Sequence, residues 1–573
     1  MANTASTKSG KSKKAKAREA AAETKTAGSV DAAPDVADVP VRVWRIAVIV
    51  IFLIAAVLRL YNLDLVPLHH DEGVNGNFLV RLVREGVYQY DPANYHGPTL
   101  YYFAALWPWI VRVLFGKAAQ ETYGLTTFAI RMIPALFGLA TIGLIFLLRR
   151  HLGTIATLTA ALLLAVSPGA VYLSRYFIHE TQFVFFTLAI IVICIYFYEQ
   201  RNAFYLILAA ACASLLFATK ETAMISVAVL IIALVVMLAY LRLRRGKVAA
   251  PKTRGRTQPA QGFWSRFIEE LGGPVVVGMC LVLSAVVFVG LWLAFYSSFF
   301  SYSQGISASF KTFEIWTKTG TAAHVHTFFT YVYWLAQREG ALLFLGIAGA
   351  AFIVLKPKRP FALFAALWAF GLLAAYSLIP YKTPWLLLNF VVPLALIAGY
   401  GIQVIYELDH RQFRLTGVLL LIAVGFTTYQ MIDLNFINYD NDNSRYVYVY
   451  AHTTRGMFEL VNEIDRIAKE DRGGLTGITI LSPDYWPLPW YLRNYSRVGY
   501  YGRLAPSTEP VIIANENQKA DIEANFRDLY RQVPSKQSGG SFELRPGVRL
   551  LLYERRKDLA PLELPSIRKP FVN

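Results

Sequence analysis

Eleven apolar stretches, most of them long enough to cross a bilayer as helices, leave this chain few ways to fold. They lie at about 44–61, 131–148, 153–172, 182–199, 203–219, 223–243, 274–296, 341–356, 360–379, 385–405 and 413–431. Hydrophobic residues make up 55% of the 573 and charged ones only 16%, with a mean hydropathy of +0.41. That balance suits a multi-spanning membrane protein with polar appendages and not a soluble globule. The formal charge of +18 is concentrated in the N-terminal segment and in short loops. It reads as the positive-inside bias of a membrane protein, so nucleic acid is not an expected partner. Cys194, Cys212 and Cys280 all fall inside apolar stretches and suggest neither disulfides nor a cysteine metal site.

The loops alternate in chemistry. Arg149, Arg150 and His151, then Arg201, the basic 242–267 stretch, Lys356 to Arg359, and His410 to Arg414 fall on one side. Residues 1–42 join them: an Ala-, Lys- and Ser-rich segment without a core, expected to be a disordered basic tail in the cytoplasm. Eleven spans then leave the C-terminus exoplasmic, in the plasma membrane of a cell. Residues 99–116, with Trp107-Pro108-Trp109 at their centre, would reverse every later loop if counted as a span. They are expected instead to lie at the interface, within a first exoplasmic loop of 62–130; a hidden pair of spans there would keep the same sidedness. Beyond 431 the hydropathy falls, and helical and β-rich runs alternate. A small exoplasmic α/β domain is expected over 432–573.

Chemistry-bearing residues collect on the exoplasmic side. His69-His70-Asp71-Glu72-Gly73 follows the first span, and His96-Gly97-Pro98 comes later in the same loop. Arg175 and Glu180 stand in the turn after the third span, Lys220 and Glu221 after the fifth, and Tyr381 and Lys382 after the ninth. Ionisable groups at membrane depth are functional candidates. The alternative for Asp71 and Glu72 is that they cap a helix beginning near Val74. For the cations it is snorkelling to headgroups. The aromatic run Tyr485 to Tyr491 suits either interfacial packing or a sugar ring.

In their order and sidedness these motifs resemble the GT-C glycosyltransferases, integral membrane enzymes that take sugars from polyprenyl-phosphate donors. The likeness is to the protein O-mannosyltransferases and aminoarabinose transferases. It is narrower to a prokaryotic subfamily named for association with flippase activity, and it runs over about 44–500. Asp71-Glu72 stands where the family has its first-loop acidic pair, and Glu180 matches its second acid. His96-Gly97-Pro98 lacks the Glu and Lys that the aminoarabinose transferases carry there. The resemblance implies an all-α GT-C-like bundle of about eleven spans. It also implies transfer of a sugar from a polyprenyl phosphate to a glycan, lipid or protein hydroxyl. Asp71 is then the expected general base, supported by Glu72 and with Glu180 beside it. His70, His96, Arg175, Lys220, Glu221, Tyr381 and Lys382 are expected to bind substrate, the cations meeting the departing phosphate. Asp71 and Glu180 could instead hold a divalent ion such as Mg or Mn, though no obligatory metal is expected. A polyprenyl-linked sugar flippase, or an accessory scaffold, is the competing class. No internal repeat supports the flippase.

Overall fold

The structure, a computed structural model, describes residues 39–93, 96–245, 262–322, 324–355, 358–409, 413–442 and 445–556. The expected tail lies outside them except at 39–42, as does the centre of the basic 242–267 stretch. The bundle comprises α1 (Val41–Leu60), α2 (His70–Glu85), α3 (Thr99–Phe115), α4 (Thr127–Leu147), α5 (Thr154–Val166), α6 (Pro168–Ser174), α7 (Glu180–Gln200) and α8 (Phe204–Phe217). It continues with α9 (Ala223–Arg245), α10 (Gly273–Tyr296), α11 (Gln304–Ala322), α12 (Thr330–Arg338), α13 (Gly340–Leu355), α14 (Pro360–Leu378), α15 (Leu388–Leu408) and α16 (Arg414–Ile432).

Among the described residues, eight helices are long and apolar enough to cross a membrane, or up to ten if each bent pair counts as one span. Each of the eleven expected stretches is helical, but two differ in shape. The pair α5–α6 bends by 61° and α12–α13 by 112°. The first bend follows from Ser167-Pro168: proline cannot donate to the preceding turn, so α5 ends with open carbonyls. Arg59, buried at the end of α1, fills them, its Nη1 donating to Ala165 O and its Nη2 to Leu164 O, both at 3.0 Å. At 14 residues α8 is shorter than the eight span-length helices.

Segment α15 is the centre of the bundle, 94% of its apolar window being buried, and it packs on α5 and α13. Glycines allow that contact. A Cβ at Gly349 would collide with the Ile397 carbonyl and one at Gly399 with the Ala156 carbonyl, so small residues set the helix separation. The basic loops meet at one end, where Arg359 Nη1 donates to Arg150 O and Lys358 pairs with Glu407. The motif-bearing loops meet at the other. There α3 packs on α2, Tyr101 Oη donating to Asn75 Oδ1 at 2.8 Å, with Leu100, Ala104 and Ala105 buried and Leu106, Ile110, Val113 and Leu114 exposed.

The C-terminal domain sits on that second end. It holds α17 (Gly456–Glu470), α18 (Leu488–Tyr491) and α19 (Lys519–Phe526) against a sheet of β1 (Gly477–Ile480), β2 (Arg497–Tyr500), β3 (Val511–Asn515), β4 (Tyr530–Val533), β5 (Phe542–Arg545) and β6 (Val548–Arg555). The order is β2-β1-β3-β6-β4, parallel among β1, β2 and β3 and antiparallel at β6, with β5 also pairing β6. Strands β4 and β5 extend the expectation from sequence. The β5–β6 hairpin turns at Pro546-Gly547, where Gly547 takes φ 79°, a turn those two residues favour.

Candidate active site

Helix α2 presents the acidic pair, and its N-terminal turn separates the two carboxylates. His69 is the N-cap: its Nδ1 accepts from the Asp71 backbone N–H at 3.1 Å, while Glu72 Oε2 accepts from the His69 N–H at 3.0 Å. This reciprocal arrangement satisfies open donors at the helix start. It turns Glu72 inward, where it is fully buried and held by Arg131 through Nε–Oε1 at 2.7 Å and Nη2–Oε2 at 2.6 Å. Phe177 N–H donates to the same carboxylate at 2.8 Å. Glu72 therefore organises the loop and does not reach the cavity. Asp71, one residue earlier, points the other way.

The Asp71 side chain is a quarter exposed, and that exposure is to a cavity of about 540 Å³. Burial among protein atoms raises its pKa, partly opposed by His70 and His96. Burial likewise lowers His69 to about 4, so that His69 acts as a neutral cap. Among the described residues, no side-chain hydrogen bond holds the Asp71 carboxylate; its nearest ion-pair partner is His69 Nδ1, at 3.9 Å.

The opposite wall comes from the turn before α9. Lys220 and Glu221 line the cavity with Thr222. Beneath them Lys220 Nζ donates to Glu180 Oε1 at 2.5 Å, both groups being buried. His96 Nδ1 lies 2.9 Å from Glu221 Oε2. Burial opposes the charge on Glu221, but His96 and Lys220 outweigh it and keep the carboxyl below its ordinary range. This turn and the His96-Gly97-Pro98 motif form one unit. Gly97 N–H donates to Thr219 O at 3.1 Å, Thr99 Oγ1 meets Thr219 Oγ1 at 2.8 Å, and His179 reaches Gly97 O at 2.9 Å. A Cβ at Gly97 would overlap the Ala218 carbonyl, so glycine is needed for the close approach.

Aromatic residues close the rest: Tyr376 near the end of α14, Tyr381 and Trp385 from the α14–α15 connection, His324 from the loop before α12, and Tyr450. The Lys382 N–H donates to His324 O, which pairs the two loops as short antiparallel neighbours.

Two sequence expectations are corrected. Lys382 is buried, with Nζ donating to Ser377 O and Ile379 O, so it caps the end of α14 instead of lining the cavity. Arg175 caps the end of α1, with Nη1 on Tyr61 O at 2.5 Å and Nη2 on Asn62 O at 2.9 Å. Carbonyls at helix ends are open acceptors, and each cation had one within reach. The four-residue constellation of Asp71, Glu180, Lys220 and Lys382 thus reduces to Asp71 facing the Lys220–Glu180 pair. His70 lies on the rim, its ring 6.1 Å from that of Trp486.

The alternative use of Asp71 and Glu180 as a divalent site meets a Glu180 already paired with Lys220. Glu72 is likewise occupied by Arg131 and Glu221 by His96. Among the described residues, no three His, Cys, Asp or Glu side chains converge as metal ligands.

Sequence reasoning gave no role to Arg131, His179 or Arg545, and named His69 only as part of its motif. Arg131 carried a signal: a lone arginine inside an apolar stretch. Arg545, which reaches the cavity from the end of β5, carried none.

The aromatic run 485–491 docks the C-terminal domain on the back of α2. A Cβ at Gly73 would lie 2.5 Å from Pro487 Cβ, and one at Gly76 2.6 Å from Trp490 Cε3. Tyr491 Oη accepts from Leu68 N–H at 2.8 Å.

The bundle thus carries, at one end, a cavity lined by acidic, basic and aromatic side chains. The sequence family described as dolichyl-phosphate-mannose-protein mannosyltransferase matches residues 106–253. The fold is similar to that of ArnT from Cupriavidus metallidurans bound to undecaprenyl phosphate. The TM-score is 0.54 at 14% identity, over 89% of this chain and 97% of the other. Apo ArnT gives 0.49 at 13% identity, over 89% and 97%. The oligosaccharyltransferase AglB from Archaeoglobus fulgidus, with an inhibitory peptide and a dolichol-phosphate, gives 0.48 at 13%, over 83% and 70%. No curated protein matches significantly. Over nearly its whole length the chain therefore shares its fold with ArnT, and over residues 106–253 it matches the mannosyltransferase family model.

Proposed function

We propose that this protein transfers a sugar from a polyprenyl-phosphate donor to an acceptor hydroxyl on the exoplasmic face, with inversion at the anomeric carbon. The observation that carries the reading is that Asp71 is the one cavity carboxylate, among the described residues, without a cationic partner. An ionised carboxylate in that position accepts the acceptor's proton as the new C–O bond forms. The C–O bond to phosphate breaks in the same step, and its electron pair leaves with the phosphate. With no second free carboxylate to form a covalent intermediate, a single displacement follows, and a single displacement inverts.

Lys220 stands across the cavity, where the phosphate gathers charge, and His96 is beside it as a hydrogen-bond donor. Tyr381, Tyr376 and Trp385 offer flat apolar faces for a sugar ring. With Glu180 already paired with Lys220, the reading takes no metal. Sugar transfer also explains chemistry gathered at one end of the bundle, whereas a flippase needs it along a path.

The test is donor-dependent labelling of an acceptor by the purified full-length protein, using a radiolabelled undecaprenyl-phosphate hexose, with and without a chelator. Labelling that persists in the chelator supports the whole reading. Labelling abolished by the chelator and restored by Mg or Mn overturns its metal-free part. Donor movement across vesicles without covalent transfer overturns the reading itself.

A further inference from the structure

Most cations around the cavity already have partners within the protein. Arg131 is held by Glu72, Arg175 and Lys382 by backbone carbonyls, and Lys220 by Glu180. Arg545 is different. It lines the same cavity as Asp71 and His70 although it belongs to the C-terminal domain, 474 positions along the chain. Its side chain is 17% exposed, and one nitrogen, Nη2, donates to Asp484 Oδ1 at 2.6 Å. Among the described residues no other acceptor meets it, which leaves most of its five N–H donors available.

We propose that Arg545 is a substrate-binding residue whose guanidinium grips a phosphate group entering the cavity. This rests on the reading of the cavity as a transferase site.

Three features support the assignment. Guanidinium matches phosphate oxygens two at a time, which an ammonium cannot do. Arg545 sits at the end of β5, directly before the Pro546-Gly547 turn, so the hairpin fixes its approach. The domain that carries it is itself fixed, because Pro487 and Trp490 fit against Gly73 and Gly76 on the helix that holds Asp71. Base and cation are therefore positioned by one contact. Asp484 serves as a resting counter-ion that an incoming phosphate group can displace. The phosphate has two chemical sources: the polyprenyl donor, or a phosphate borne by a water-soluble acceptor.

Equilibrium binding to the full-length protein in detergent separates these sources without requiring turnover. The probes are undecaprenyl phosphate, the neutral alcohol undecaprenol, and a hexose 1-phosphate. Arg545→Gln should weaken undecaprenyl phosphate by roughly 10- to 100-fold and leave undecaprenol unchanged, with Arg545→Lys recovering part of the loss. Loss confined to the hexose phosphate keeps the contact and assigns it to a soluble partner. Equal loss for undecaprenol, or no loss for either phosphate, overturns the proposal. Asp484→Asn guards against misfolding: freeing Arg545 from its counter-ion should tighten phosphate binding severalfold, whereas a damaged domain would weaken it. Since binding is read alone, this result stands or falls separately from the transfer reaction.

Discussion

Lys220 Nζ lies 2.5 Å from Glu180 Oε1, with both groups buried, and this pair ties the turn before α9 to the start of α7. Lys220 is thereby fixed at the cavity wall instead of following lipid headgroups. Two residues that sequence placed in separate loops form one structural unit.

Breaking the pair from either side leaves a buried charge without a partner. Glu180→Gln should cost about 3–5 kcal/mol of stability, and the double variant Glu180→Gln with Lys220→Met should recover much of it. Thermal unfolding in detergent reads both. Strictly additive losses would show that the two groups are not coupled.

The contact between domains predicts a matched suppressor. A methyl at Gly76 strikes the Trp490 ring, so Gly76→Ala should push the C-terminal domain off α2 and reduce transfer, by up to about 100-fold for a shift near 1 Å. Adding Trp490→Leu makes room and should restore part of the activity. An active Gly76→Ala single variant would mean that this docking does not position the site.

Lys382 is expected to matter for stability and not for donor affinity. Its Nζ satisfies the Ser377 and Ile379 carbonyls, so Lys382→Met should destabilise by about 1–3 kcal/mol while undecaprenyl phosphate binds as before. A large affinity loss with unchanged stability would return Lys382 to the cavity.

The mostly helical apolar bundle and the small C-terminal sheet domain could be read from sequence, because hydropathy survives without coordinates. Side-chain direction could not. Asp71 and Glu72 are adjacent and chemically alike, and only the His69 cap and the buried Arg131 decide which one turns inward. Lys220 and Lys382 both follow a span, yet one meets a carboxylate and the other the end of its own helix. The bend at Ser167-Pro168 had a local signal in the proline, but the Arg59 that fills the opened carbonyls comes from α1, distant in sequence.

The pH dependence follows from burial at Asp71. A base works only when ionised, and its raised pKa moves the acid limb of the transfer profile above the ordinary aspartate range near about 3.9. Activity should be present above that pKa and lost as pH falls through it. For stability the sign is opposite. The folded state favours the protonated form, so the ionised carboxylate at neutral pH is a cost and not a support. A transfer profile with no acid limb above the ordinary aspartate range would contradict the assignment.

Asp71→Asn tests the central claim most directly, with transfer, undecaprenyl phosphate binding and thermal unfolding measured on one preparation. Transfer should fall by about two to four orders of magnitude, donor affinity should hold, and the unfolding temperature should stay level or rise. Transfer that survives Asp71→Asn in a folded protein would contradict Asp71 as the base.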